Sequence, residues 1–145
     1  MEKVIDNFDG DYFFLSNYYE CPVYFMGHDY KSSEAAYQAQ KCPERAKEFV
    51  DLGPDEAKKL GKTVEIRSDW DSVKNTIMLV ILRQKFFQND ELFEKLVATG
   101  DAELIEGNWW KDTYWGVYEG TGKNMLGKLL MQVRRECSDL HIPKD

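Results

Sequence analysis

The chain is short of histidine, of cysteine and of long apolar runs, and each shortage removes a class of function. Histidine occurs only at His28 and His141, too few parts for a His-based triad or a multi-His metal centre. The three cysteines, Cys21, Cys42 and Cys137, are odd in number, lie far apart and include no CxxC pair. That pattern disfavours both a disulfide framework and a zinc site, and leaves reduced, partly buried thiols as the expectation. No metal and no cofactor is called for. No apolar segment approaches the ~20 residues that span a bilayer, no apolar run follows the initiating methionine, and no lipidation signal is present, so the cytoplasm is the expected compartment and no membrane partner is expected. Basic charge is also in deficit: 19 Lys and Arg face 26 Asp and Glu, a net charge of −7. Such a surface repels nucleic acid as a whole, and any phosphate must be held at a focused basic patch. Carboxylates, lysines and aromatics are what remains for catalysis.

With 145 residues the chain has the size of one domain, taken here as residues 1–145. From Tyr12 to Lys31 aromatic and β-favouring residues are broken by Asn17, Pro22 and Gly27, which predicts short strands and turns. Ser33 can cap a helix running to about Cys42, Pro43 suits the first turn of another through Leu52, and Pro54 opens a third ending near Gly61. The longest periodic element is 69–88, whose Ile77–Leu82 portion is apolar all round, as in a central buried helix on which the rest packs. Asp90 starts a further helix that ends at Thr99 and Gly100. A final one carries Met125, Leu126, Leu129, Leu130 and Val133 as a single stripe. The expected fold is α+β: a mainly helical single domain with a small irregular sheet drawn mostly from the first third.

Four features carry chemistry, the first three each with a plainer alternative. Glu34, Tyr37, Gln38 and Lys41 share one helical face, while Ala35, Ala36 and Ala39 leave the other side open to a close neighbour. Glu34 and Lys41 suit a ligand, yet the helix dipole alone also favours an acid at the start and a base at the end. Lys85, at i+4 from Ile81 and i+7 from Met78, follows the apolar side of its helix. It either pairs with an anion such as Glu106, Asp112 or a ligand phosphate, or snorkels at the helix end. The loop 107–122 holds three of the four tryptophans beside Asp112 and is a binding wall or a packed plug. Gly120, Gly122, Lys123 and Asn124 precede the last helix and would offer free N–H groups to a phosphate, although Val117 and Asn124 stand where a Walker A loop would need Gly and Ser or Thr.

Read in order, FLSNYY (14–19), SSEAAYQAQK (32–41), DW (69–70), KF (85–86), TGDAELIE, DTYWG and GKNMLGKLLMQVR resemble the NADAR, or YbiA-like, family over nearly the whole chain, from about Phe8 to Arg135. The resemblance implies a YbiA-like fold and an N-glycosidase that splits the bond between a nitrogen base and a ribose bearing a 5′-phosphate or diphosphate. The substrate is then a small phosphorylated ribosyl molecule of riboflavin synthesis, or ADP-ribose on guanine within nucleic acid. It implies a pocket of Asn17, Glu34, Trp70, Lys85, Asp112 and Trp115, with Gly122, Asn124 and Gly127 at its glycine-rich edge. Phe14, Ser16, Tyr37, Gln38, Lys41, Gly116 and Lys123 complete the candidate substrate contacts. Some relatives carry an acid directly after the WG dipeptide, where this chain has Val117, with Glu119 two residues on.

In that setting Glu34 is the expected anion and water activator, with Asp112 a second carboxylate. Trp70, Trp115 or Tyr37 would stack on the base, and Lys41, Lys85 and Lys123 are candidates for the phosphate end. Alternatively Lys85 attacks the sugar as a Schiff-base nucleophile. A non-catalytic module that binds ADP-ribose or a nucleotide is the rival from another class, and a toxin-immunity or host-interaction surface is a third.

Overall fold

The computed structural model describes residues 3–143. In chain order it contains β1 (Val4–Ile5), a 3₁₀ helix (Gly10–Leu15), β2 (Glu20–Phe25), β3 (His28–Ser32), α1 (Ser33–Ala39), a second 3₁₀ helix (Pro43–Phe49), α2 (Pro54–Gly61), α3 (Trp70–Gln88), α4 (Asp90–Ala98), β4 (Glu103–Leu104), β5 (Gly107–Asn108), β6 (Val117–Tyr118) and α5 (Met125–Leu140). These gather into two compact units, Asn17–Asn89 and residues 3–16 with 90–143.

The 17–89 unit begins with a hairpin. Phe25 pairs with His28, leaving Met26 and Gly27 as a two-residue loop with φ of 49° and 88°, the left-handed pair that matches the twist of the flanking strands. Val23, Phe25, Tyr30 and Ser32 are buried, and β3 runs straight into α1. The helix is capped by Ser32, whose side chain accepts from the Ala35 N–H at 3.1 Å, one residue earlier than the expected Ser33. Ser33 is free for another task because of it.

All seven residues of α1 are buried, and β2, β3, α2, α3 and the second 3₁₀ helix all pack on it. This corrects the expectation that α3 is central. The buried residues of α3's stripe are Met78, Ile81, Leu82, Lys85 and Phe86, spaced i, i+3, i+4, i+7, i+8 along one face. Ile77, Leu79 and Val80 are only half-buried. Composition gave α3 its apolar character, but the small side chains Ala35, Ala36 and Ala39 let neighbours close in on α1 instead.

In the other unit β1 pairs in parallel with β4 and β5 with β6. Tyr12–Leu15, expected as strand, lies within the first 3₁₀ helix. Helix α5 packs on α4 and β4 and buries Leu126, Leu130, Val133 and Cys137 at i, i+4, i+7, i+11. At Gly127 a Cβ would stand 2.1 Å from the Leu104 carbonyl oxygen, so only glycine lets α5 lie this close to β4. Among the described residues no helix is long and apolar enough to cross a membrane.

Candidate active site

The N-terminal turn of α1 is held from outside by Asn17. Its carbonyl accepts from the Glu34 N–H at 3.1 Å, its Oδ1 accepts from the Ser33 hydroxyl at 2.7 Å, and its Nδ2 faces the Met78 sulfur at 3.6 Å. Asn17 and Ser32 thus satisfy the Glu34 and Ala35 donors of the first turn, and these caps do not use the Glu34 side chain. That carboxyl is nonetheless buried, with the residue 8 % exposed, and its Oε2 accepts from Gln38 Nε2 at 2.6 Å. Gln38 is in turn fixed by α2, because its Oε1 lies against Gly61, where a Cβ would stand 2.1 Å away. This Oε1 has no hydrogen-bond partner among the described residues.

Around this carboxylate stand aromatics and cations. Tyr37 and Trp70 are buried with ring centroids 5.1 Å apart and planes tilted by 52°. Tyr18 has its pKa pushed up to about 12, first by burial and then by the negative charges of Glu34 and Asp55, and Lys58 Nζ lies 5.9 Å from its ring. Burial lowers the Lys41 pKa, while the charge of Glu34 opposes the fall. Asn17, Glu34, Tyr37, Gln38, Lys41 and Trp70 are thus gathered around the start of α1 and of α3. Sequence reading missed Tyr18, the neighbour of Asn17, and Gly61, which it took only as a helix end.

Lys85 does not snorkel. Its side chain is fully buried, lying 5.8 Å from the centroid of Tyr19 and 5.2 Å from that of Phe86. Burial lowers its pKa to about 8, with nearby Cys21 opposing. Trp70 and Lys85 sit in the first and last turns of α3, separated by roughly 22 Å of helical rise, so Lys85 is not beside the Tyr37–Trp70 pair.

The second unit carries the remaining candidates. Asn108 clamps the tryptophan loop: its Nδ2 donates to the Asp112 carbonyl at 2.8 Å and its Oδ1 accepts from the Asp112 N–H at 3.0 Å. Asp112 Oδ1 accepts from the N–H groups of Tyr114 and Trp115 at 3.0 and 2.9 Å, an Asx turn that commits this oxygen to the backbone. Trp109 is 81 % and Trp110 44 % exposed, which rules out a packed plug for these two. Trp115 is half-buried and meets Tyr114 edge-on at 5.0 Å. Of the N–H groups expected to be free before α5, those of Lys123 and Asn124 are not: with Met125 and Leu126 they donate to the carbonyls of Thr113, Gly116, Tyr114 and Trp115. The loop itself fills the helix end that a phosphate would have used. Gly116 is buried and Gly122 exposed, and a Cβ on Gly122 would stand 2.1 Å from the Gly116 carbonyl oxygen, so these glycines serve that closure. Asn124 bridges β4 to α5 through Leu104 O and Glu106 N, each at 2.9 Å, and Lys123 Nζ lies 5.2 Å from the Tyr114 ring. Phe14 is buried with Lys95 5.8 Å from its ring, while half-buried Ser16 ends the first 3₁₀ helix. Among the described residues no three His, Cys, Asp or Glu side chains gather as a metal-binding set.

A sequence model described as the NADAR domain matches residues 6–138. The chain belongs to the NADAR family. It is 40% identical over 141 residues to a riboflavin biosynthesis protein of Vibrio vulnificus, covering 93% of this chain but 38% of that protein. It is also 37% identical to the N-glycosidase YbiA of Escherichia coli, covering 95% of this chain and 91% of that one. An NMR structure of E. coli YbiA superposes with a TM-score of 0.84 at 36% identity, over 97% of this chain and 88% of that one. The mixed fold of helices and small strand pairs is thus that of the NADAR family.

Proposed function

We propose that this NADAR protein hydrolyses the bond between a nitrogen base and a phosphorylated ribose, with Glu34 as its principal catalytic group. The reaction class follows from kinship: the chain is a hydrolase of N-glycosidic bonds. The residue assignment rests on one observation, a buried carboxylate held at 2.6 Å by Gln38 next to the Tyr37–Trp70 pair. As the base departs with the bonding electrons, positive charge develops at the anomeric carbon, and a fixed carboxylate stabilises it while taking a proton from the attacking water. Tyr37 and Trp70 offer aromatic faces to a flat base. The two units act as one NADAR domain in this reading, supported by a family match that runs through both.

The substrate is a ribosylaminopyrimidine phosphate of riboflavin synthesis or ADP-ribosylated guanine. The name of the Vibrio relative and the net charge of −7 favour the first, a small metabolite. Incubation with each, followed by chromatography of the liberated base, tests the assignment. Glu34→Gln is expected to lower base release by more than ~100-fold while keeping ligand affinity. Wild-type protein that binds ADP-ribose yet releases base from neither substrate would instead be a binding module.

A second route would use Lys85, whose burial lowers its pKa to about 8, so that a minor fraction of neutral amine is present near physiological pH. Such an amine can attack the anomeric carbon, expelling the base and opening the ring to an imine that water then hydrolyses. Borohydride added during turnover would trap that imine on Lys85. Full activity without any trapped adduct would leave Glu34 as the sole route.

A further inference from the structure

Two neighbouring residues of α1 fix the ends of two other helices. Tyr37 meets Trp70 in the first turn of α3, and Gln38 meets Gly61 in the last turn of α2. A lysine lies about one turn from each contact: Lys41 just past the end of α1, Lys74 in α3 beyond Trp70, and Lys58 in α2 before Gly61, with Lys62 directly after that helix. The loop between α2 and α3 is tied to the same place by the Arg67 N–H, which donates to the Lys41 carbonyl at 2.8 Å. Lys58 extends over the Tyr18 ring, beside Asn17 and the carboxylate it positions. After the opposing charge of Glu34, the positive charges of Lys58, Lys62 and Lys74 all act on Lys41; Lys74 pairs with Asp71 at 3.3 Å, whereas Lys41, Lys58 and Lys62 enter no ion pair among the described residues.

Gathering like charges raises the free energy of the folded state, and here it happens in a chain of net charge −7. The adjacent Lys59 behaves differently, pairing with Asp55 at 3.1 Å on the surface. An anion is the occupant whose binding offsets this repulsion. The other place expected to hold one, the turn before α5, has its N–H groups consumed by the 113–116 carbonyls.

We propose that Lys41, Lys58, Lys62 and Lys74 form the subsite for the phosphate on C5 of the ribose, with Lys58 and Lys62 of α2 selecting phosphorylated over unphosphorylated substrates. This rests on the reaction proposed above and adds to it the group that recognises the substrate's anionic end. A phosphate monoester and the diphosphate of ADP-ribose share this chemistry.

The test compares wild type, the Lys58→Ala/Lys62→Ala double variant and Lys59→Ala on a ribosylaminopyrimidine 5′-phosphate and on its dephosphorylated form. The double variant is expected to raise KM for the phosphate ester by about 10- to 100-fold with little change in kcat, and to leave the dephosphorylated substrate unaffected. Lys59→Ala should match wild type, and Lys58→Arg/Lys62→Arg should restore most of the lost affinity. Thermal shifts with ribose 5-phosphate and with ADP-ribose identify which form binds, and either shift is expected to vanish in the double alanine variant. Base release with the same phosphate preference in wild type and double variant overturns the subsite while leaving the reaction standing. Lysine-dependent binding of ribose 5-phosphate without base release supports the subsite and overturns the reaction.

Discussion

Lys85 loses its hydration when the chain folds, and its pKa falls from 10.5 to about 8. Between those values the unfolded chain holds a proton that the folded chain has released, so stability rises with pH across that interval; below about pH 8 the whole penalty is present. At 1.36 kcal/mol per pKa unit it is on the order of 3 kcal/mol. Lys85→Met is therefore expected to melt higher than wild type at pH 7 and to lose the gain in stability between pH 8 and 10.5, as thermal melts at stepped pH will show. A second outcome belongs to Gly61. Adding a methyl group there displaces Gln38 from its bond to Glu34, so Gly61→Ala should cost about 1–3 kcal/mol in urea unfolding and also lower kcat for base release. The shared face of Glu34, Tyr37, Gln38 and Lys41 is readable from spacing alone. The dependence of that face on Gly61 is not, because contacts between α1 and α2 leave no periodic mark in the text.

For the elements, turn and cap residues marked the starts near Ser33, Pro54 and Asp90, while apolar periodicity marked the α-helices beginning near Asp69 and Asn124, whose side chains make no cap bond. The two-residue strands β1, β4, β5 and β6 are too short to show alternation. The closure of the α5 N-terminus also escapes sequence reasoning, since the partners of its N–H groups are carbonyls that every residue possesses. One expectation at this scale concerns α1. Ser32→Ala removes the acceptor for the Ala35 N–H and should destabilise the protein by about 1 kcal/mol. Because α1 also presents Glu34, the variant's kcat should fall, a drop that an equally destabilising substitution in α5 would not reproduce.

For the molecule as a whole, charge and composition excluded more than they assigned, and the order of motifs carried the family. Division into two units is invisible in the sequence because one of them is discontinuous, assembled from residues 3–16 and 90–143. If both serve one domain, urea unfolding should follow a single transition by far-UV circular dichroism and by tryptophan fluorescence, which samples Trp70 in one unit and Trp109, Trp110 and Trp115 in the other. Two separated transitions would show that the units unfold independently. The pairing of Val4 with Glu103 also sets a timetable during synthesis. At roughly 5–20 residues per second, the strand translated first waits several seconds for a mate about a hundred residues downstream, while the 17–89 segment leaves the ribosome whole in the interval.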